Sequence, residues 1–426
     1  MNISKMTDKF RYQCVDCGAE YPGNKVIYLC PVCQAGNLAG QPPKGVLKTI
    51  YNYRQIRELY QANRLFQELQ DDYFIPLLPI LRPESWPNLH IGNTPLYRND
   101  SVIQENTGFE IYLKDDSQNP TFSFKDRASA LVSAWALENG ISTLIVASTG
   151  NAGSSLAGIC AAQQQKSIIL IPAKAPLAKL TQIMMYGANI IPVNGTYDDA
   201  FDLSVEASRL FGFYNRNTAY NPLTIEGKKT VSFEIYNQLE FQVPDRVFVP
   251  TGDGVILSGV YKGFEEMLLL GITDRIPVIV AVQAAGSPNL VNNIDHQNFS
   301  ITKSATIADS ISVDVPKNFF MSAGFIKKYK GESVTVTDEE ILQASVQLSE
   351  SAGIFAEPAA AAAFAGLLNF TRSGRIPHGS KNVVLLTGSG LKDLASVQSQ
   401  IHLPAPVDPD ILSLGQLIRT ILSKNP

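Results

Sequence analysis

The sequence predicts an α/β protein with largely parallel sheets covered by helices on both faces, preceded by a small cysteine-rich ribbon. Three observations carry this reading. Short β-branched runs alternate with longer helical patterns up to about residue 390, glycine-rich loops follow several of those runs, and four of the five cysteines fall within the first 33 residues.

At 426 residues, with 45% hydrophobic and 17% charged positions, the chain has ample apolar material for packed cores and lies outside the disordered class. Its length suggests two or three domains. The longest apolar stretches, such as residues 168–172, fall far short of the roughly 20 residues of a membrane span. The opening Met1-Asn2-Ile3-Ser4-Lys5 lacks an apolar core of signal-peptide length. The expectation is a cytoplasmic protein with no membrane partner. The net charge of −4 is spread without a basic block, which leaves no electrostatic footprint for nucleic acid and favours a small-molecule partner.

Cys14-Val15-Asp16-Cys17 and Cys30-Pro31-Val32-Cys33 are two Cys-x-x-Cys knuckles separated by twelve residues. Tight turns at that spacing bring four thiolates to one tetrahedral centre, so Cys14, Cys17, Cys30 and Cys33 are expected to hold Zn2+. The competing reading is a pair of disulfides or idle thiols, of which a reducing cytoplasm disfavours the first. A segment of about forty residues is too small for a core of its own, so the metal would supply most of its folding energy. Zinc ribbons often bind nucleic acid, but residues 1–50 hold only six Lys/Arg against three Asp/Glu. A four-thiolate zinc site largely cancels that excess, and the ribbon reads as structural. Cys160, in an Ala/Gly-rich helical stretch, reads as core.

The proline-punctuated residues 76–95 should be mostly extended. Residues 143–147, 167–172, 189–193, 246–250, 277–283 and 382–387 read as buried strands. Helical patterns begin near Lys125, Gly153, Pro176, Asp198, Leu257 and Asp338, the last with Thr337 and Glu340 placed as a capping box. The alanine-rich residues 359–363 suit a tightly packed helix. Residues 314–331, with Lys317, Lys327, Lys328 and Lys330, read as a solvated loop.

Ligands in open α/β sheets bind beyond the carboxyl ends of strands. Three loops so placed stand out: Ser148-Thr149-Gly150-Asn151-Ala152-Gly153, Thr251-Gly252-Asp253-Gly254 and Thr387-Gly388-Ser389-Gly390. The first two open helices, where free N–H groups suit an anion. In Asn119-Pro120-Thr121-Phe122-Ser123-Phe124-Lys125-Asp126-Arg127 a lysine opens a helix, against the macrodipole preference that places lysine at C-termini. Spacing alone leaves two readings open for Lys125: an amine kept reactive near a phosphorylated ligand, or a surface lysine paired with Asp126.

The run of residues 119–127 resembles the cofactor-attachment motif of the threonine synthase family and its relatives among fold type II pyridoxal-phosphate enzymes. Other segments agree in the same order: Gly92-Asn93-Thr94-Pro95-Leu96, the asparagine loop at 148–153, Asn221-Pro222 with Glu226-Gly227-Lys228-Lys229-Thr230, Glu357-Pro358-Ala359, and Thr387-Gly388-Ser389-Gly390-Leu391-Lys392-Asp393. The ribbon is similar to an N-terminal extension that some members carry. The resemblance implies a tryptophan synthase β-like architecture of two open α/β domains with parallel sheets. Residues 1–42 would form the ribbon, 43–144 and 226–426 the large cofactor-binding domain, and 145–225 a small substrate-closing domain. It also implies a homodimer and pyridoxal 5'-phosphate as cofactor, beside structural Zn2+.

Carried over residue by residue, the resemblance makes Lys125 the attachment point of the cofactor and the base for the substrate α-proton. Asn151 would bond the ring oxygen, while Ser148, Thr149 and Ala152 would hold the substrate α-carboxylate. Gly252, Asp253, Gly254, Val255 and Ile256 would grip the cofactor phosphate at a helix start. Thr387 would face the pyridine nitrogen, where a neutral hydroxyl leaves the ring unprotonated and favours elimination.

Two departures matter. Asp253 beside a phosphate is repulsive unless it points away, with Lys262 or Ser258 as compensating groups. The family usually offers an arginine two residues before the Glu of Glu-Gly to clasp a substrate phosphate, and here that position is Thr224; Lys228, helped by Asn217 and Thr218, is the substitute expected. The implied reaction is that of threonine synthase, converting O-phospho-L-homoserine and water to L-threonine and phosphate by γ-elimination and β-addition. The alternative is a related lyase or β-replacement enzyme of the threonine/serine dehydratase, cysteate synthase or diaminopropionate lyase type. A catalytically idle binding module is disfavoured by the presence of Lys125, Asn151 and Thr387 together.

Overall fold

The computed structural model describes residues 9–103, 108–401, 403 and 405–424; Met1 to Lys5 lie outside them. The N-terminal strands β1 (Phe10–Cys14), β2 (Glu20–Pro22) and β3 (Leu47–Tyr51) make an antiparallel sheet in the order β2-β1-β3. Strands β4 (Leu96–Arg98) and β5 (Glu110–Asp115) follow, then β6 (Thr143–Ala147), β7 (Lys166–Pro172), β8 (Asn189–Val193) and β9 (Tyr214–Asn215), and finally β10 (Arg246–Pro250), β11 (Val278–Ala284), β12 (Glu332–Val336) and β13 (Lys381–Leu386). They form a six-stranded sheet, β12-β11-β10-β13-β5-β4, and a four-stranded sheet, β8-β7-β6-β9. Only the edge strand β4 runs antiparallel in these two sheets.

Side-chain alternation explains why both sheets are covered twice. In the larger one, Val247, Val249, Ile279 and Val383 face a core shared with the helix Val255–Leu270. Their neighbours Phe248, Val280, Val282 and Val384 face another core, with the alanine-rich helix Pro358–Arg372. Alanine lets that helix lie close to the strands. In the smaller sheet Leu144, Val146 and Ile169 pack on Leu156 and Cys160 of the helix Asn151–Ala162, whereas Ile145, Ala147 and Leu170 pack on Ala200 of the helix Tyr197–Phe211.

The strands expected at 143–147, 189–193 and 246–250 have those bounds; the one at 167–172 starts one residue earlier, and those at 277–283 and 382–387 are displaced by one residue at both ends. Thr337 and Glu340 close the expected capping box at the helix Asp338–Ala352. Residues 76–95 include two short 3-10 turns. The solvated loop expected over 314–331 is corrected: residues Phe319–Tyr329 form a helix with Phe325 and Ile326 buried, because their apolar side chains pack beside Tyr261. Among the described residues no helix is long and apolar enough to cross a membrane.

A buried ionic cluster joins the helices Leu223–Gln238 and Val255–Leu270. Lys229 lies between Glu226 and Glu266 (2.8 Å to the latter), Lys262 pairs with Glu266, and the Tyr51 hydroxyl of β3 donates to Glu226 (2.6 Å). Burial opposes the charge on Glu226, yet Lys229 and Lys262 hold its carboxyl below the ordinary glutamate value. Removing one member orphans a buried charge, so Glu266→Ala should cost about 3–5 kcal/mol, against about 1 kcal/mol for uncapping with Thr337→Ala. Urea unfolding of both variants checks this; equal losses would refute the ranking.

Candidate active site

The lysine loop follows β5. Asn119 is folded back onto Asp116 and takes the Gly92 N–H on its Oδ1 (2.9 Å), while the backbone and hydroxyl of Thr121 both donate to Asp126. These bonds turn the chain so that Lys125 is the first residue of the helix Lys125–Glu138, which has no side-chain cap. The loop at 387–389 is strapped to it by an antiparallel bridge from Ser123 to Gly388, and to Ala356 by a second bridge from Ser389. Thr387 is buried, and its carbonyl accepts the Phe124 N–H (2.8 Å). Lys392 donates to the Thr121 carbonyl and to Ser154 Oγ (3.0 Å each), tying this loop to the Asn151 helix.

Lys125 is half-buried, and among the described residues no hydrogen bond engages its amine. The reading of a surface lysine paired with Asp126 is therefore set aside, since Asp126 is spent on Thr121. Burial lowers the pKa of the Lys125 amine, with the Glu357 carboxylate opposing and Arg216 reinforcing the shift.

Two helix starts flank this amine. Gly150 precedes the Asn151 helix and Gly254 the Val255 helix, neither with a side-chain cap, so first-turn N–H groups remain for an anion. Ser148, Thr149 and Ala152 at the first start are half-buried. At the second, Gly254 has φ +86°, and a Cβ there would meet Ser322 Oγ at 2.1 Å; a Cβ on Gly252 would meet the Ile311 backbone at 2.8 Å. Both positions therefore admit only glycine, because the loop packs directly on Ser322 and on the Ile311 backbone. Val255 and Ile256 are buried behind it.

Asp253 points away from the helix start: its Oδ1 accepts the Lys317 N–H (3.0 Å) and its carbonyl the Asn318 N–H (3.0 Å). Burial raises the Asp253 pKa, with the Lys317, Lys228 and Lys125 charges opposing. Neither expected compensator acts here. Lys262 is committed to Glu266, and Ser258 donates to Asn318 (2.5 Å). Asn217, expected as a neutral donor, is committed to the Ala147 N–H and to Ser204. Thr224 is buried with its hydroxyl on the Asn221 carbonyl (2.7 Å), and Lys228, one turn further along the same helix face, is fully buried with no partner for its Nζ among the described residues.

Two residues were not singled out from the sequence. Glu357, known there only as part of a motif, accepts from the Asn151 amide on both carboxylate oxygens (2.9 and 3.0 Å), the same nitrogen also reaching Ser310 Oγ (3.3 Å), and burial raises the Glu357 pKa. Arg216, directly after β9, is fully buried and donates to Ser129 Oγ (3.0 Å), Thr218 Oγ1 (2.8 Å) and the Lys125 carbonyl (3.3 Å). The strand-end rule would have flagged Arg216, but β9 has two residues and shows no periodicity.

In the ribbon the four thiol sulfurs lie within 4.8 Å of one another, with Cys14 to Cys33 and Cys17 to Cys30 both at 3.7 Å. Sulfurs bonded to one metal at about 2.3 Å in a tetrahedron are about 3.8 Å apart, whereas a disulfide needs about 2.05 Å. All four are free thiols, as is the buried Cys160.

Residues 87–388 match the family model described as pyridoxal-phosphate dependent enzyme. The chain is 34% identical to the threonine synthase of Methanocaldococcus jannaschii over 414 residues, covering 96% of this chain and 99% of that one. It is 35% identical to the threonine synthase of Methanosarcina acetivorans over the same length, covering 96% and 98%. In fold it resembles the processed threonine deaminase isoform 2 of Solanum lycopersicum, with a TM-score of 0.65 and 21% identity over 80% of this chain and 93% of that one.

The glycine loop yields a direct test. Gly254→Ala adds at least about 1 kcal/mol of backbone strain at a positive φ before the Ser322 clash is counted. Retention of pyridoxal phosphate should therefore fall by about tenfold or more, with far-UV circular dichroism unchanged. Undiminished cofactor content after gel filtration would show that this helix start does not hold it.

Proposed function

The chain belongs to the pyridoxal-phosphate dependent enzymes, and we propose that within them it is a threonine synthase, taking O-phospho-L-homoserine and water to L-threonine and phosphate. The observation that carries this reading is 34–35% identity to two threonine synthases over 96% of the chain, a span that includes both parallel sheets and the cleft between them.

The residues present fit pyridoxal phosphate. The Lys125 amine lacks a hydrogen-bond partner among the described residues, and the glycine loop at Gly252 and Gly254 leads into a helix start with no side-chain cap. Once bound, the cofactor supplies an electron-withdrawing ring that acidifies the substrate's α-proton. Gly252 to Ile256 would hold its phosphate through backbone N–H groups, Asp253 being turned aside to the Lys317 amide. Ser148, Thr149 and Ala152 orient the substrate α-carboxylate at the other helix start. Lys125 is both attachment point and base: burial favours its neutral amine, the form that can take the α-proton. Asn151, held by Glu357, would bond the ring oxygen, and Thr387 would offer a neutral hydroxyl to the ring nitrogen. Lys228 contributes a cation to the substrate.

A second reading, a lyase or β-replacement enzyme acting on an unphosphorylated amino acid, is favoured by one observation. Thr224 presents no charge, and its hydroxyl is already spent. The assay that separates the two measures phosphate release from O-phospho-L-homoserine against ammonia and 2-oxoacid release from serine and threonine. Phosphate and threonine should appear. In the same series Lys125→Ala should abolish turnover, and borohydride reduction of the parent should label the peptide holding Lys125; label on another lysine would sink the assignment.

The reading extends to a structural Zn2+ on Cys14, Cys17, Cys30 and Cys33, to a cytoplasmic homodimer, and to a small domain over residues 145–225 closing on the larger one. Metal analysis after dialysis should return one zinc per chain. Cys14→Ser and Cys30→Ser should each remove it and lower the unfolding temperature, while sparing the rate per folded molecule; metal retained by both variants would rule the site out.

A further inference from the structure

Buried cations in a protein interior are normally matched by carboxylates, because an uncompensated charge is costly to desolvate. Three of the matched lysines and arginines of this chain follow that rule: Arg127 on Asp116 and Glu234, Lys229 on Glu226 and Glu266, and Lys114 on Glu234. Arg216 and Lys228 do not. Both are fully buried, and neither has a carboxylate within ion-pair distance among the described residues. Arg216 meets only neutral oxygens, one from each of its three nitrogens. Of the five donors of a guanidinium, one N–H on each terminal nitrogen is left over for an anionic oxygen. Lys228 Nζ has no hydrogen-bond partner among the described residues.

Both side chains approach Lys125: Arg216 Nη2 donates to its carbonyl (3.3 Å), and Lys228 lies near enough for the Lys125 and Arg216 charges to add to the burial that depresses its pKa, with Asp253 opposing. Arg216 also belongs to the substrate side of the cleft. Its N–H bonds the Ile145 carbonyl (2.8 Å), which places it beside the end of β6, whose next residues, Ser148 to Asn151, form the first helix start. The glycine loop at 252–254 lies on the other sheet, after β10. Lys228 stands one helical turn from Thr224 on the same face, so a cation exists beside the position where this sequence lacks one.

We infer that Arg216 and Lys228 form a two-cation subsite for the terminal phosphate of a phosphorylated amino-acid substrate. The substrate's identity rests on the threonine synthase reading; the anion site rests on the unmatched charges. The same oxygens leave as inorganic phosphate, so that ion is the probe.

The test is calorimetric titration of the cofactor-loaded protein with inorganic phosphate, alongside KM for O-phospho-L-homoserine, cofactor content and unfolding temperature. Lys228→Met and Arg216→Met should each weaken phosphate binding by roughly 10- to 100-fold, the range for a charge-assisted contact, and raise KM in parallel. Cofactor content should be unchanged. Lys228→Met breaks no hydrogen bond, so it should leave the unfolding temperature level or raised. Thr224→Arg in the Lys228→Met background should restore part of the affinity. Phosphate affinity unmoved by Lys228→Met would overturn the inference, as would a loss of cofactor from either variant, which would assign the cations to the cofactor phosphate. A parent protein inert toward O-phospho-L-homoserine would remove the substrate reading alone: phosphate binding lost in both variants would still uphold the subsite, and a parent that does not bind phosphate would end it.

Discussion

Arg127, two residues beyond Lys125, commits all three guanidinium nitrogens inside the protein. It donates to both oxygens of Asp116 (2.6 and 2.9 Å), to both oxygens of Glu234, to Thr230 (2.9 Å) and to Thr94. The acceptors come from the turn after β5, from the helix Leu223–Gln238 and from the segment before β4. One planar group therefore fixes the helix that starts with Lys125 against the helix that carries Lys228. Losing any acceptor would leave a buried charge exposed to a low dielectric, so the arrangement has little freedom. Lys114 completes it by reaching the Thr94 carbonyl (2.6 Å), Glu234 (2.7 Å) and Gln238 (2.9 Å).

Against that rigid frame, the cleft is held in electrostatic tension. Burial pushes every ionisable group there toward neutrality: the Lys125 and Lys228 ammonium groups and the Arg216 guanidinium, down to about 10, on one side, and the Asp253 and Glu357 carboxyls on the other. Two uncapped helix starts add partial positive charge at the same place. Such a site gains most from ligands that carry negative charge at fixed positions, and a phosphorylated cofactor with an anionic substrate meets that need. The contact of Asn151 with Glu357 uses a neutral amide and so is free to be exchanged.

The cysteine ribbon is part of this frame. The Tyr51 hydroxyl of β3 enters the Glu226 cluster, and the Tyr28 hydroxyl accepts the N–H of Asn215 (2.8 Å), the residue before Arg216, while its ring stacks on Tyr220 at 4.6 Å. These contacts brace the helix of Lys228 and the strand of Arg216 from behind.

Features that depend on near neighbours in the chain were legible in the sequence. The strand runs, the capping box at Thr337, the helix opening at Lys125 and the cysteine spacing are set by local periodicity, donor geometry and turn chemistry, which do not wait for the rest of the fold. The motif order pointed to the family for the same reason, since each motif is a short run. What tertiary structure alone decided is which strand ends face one another. That placement turned Asp253 onto Lys317, spent Lys262 on Glu266 instead of on a phosphate, folded residues 319–329 into a helix against Tyr261, and brought Arg216 from a two-residue strand to within reach of the Lys125 carbonyl. Charges separated by ninety residues or more in sequence carry no local signature, because their interaction exists only once the two sheets have closed around them.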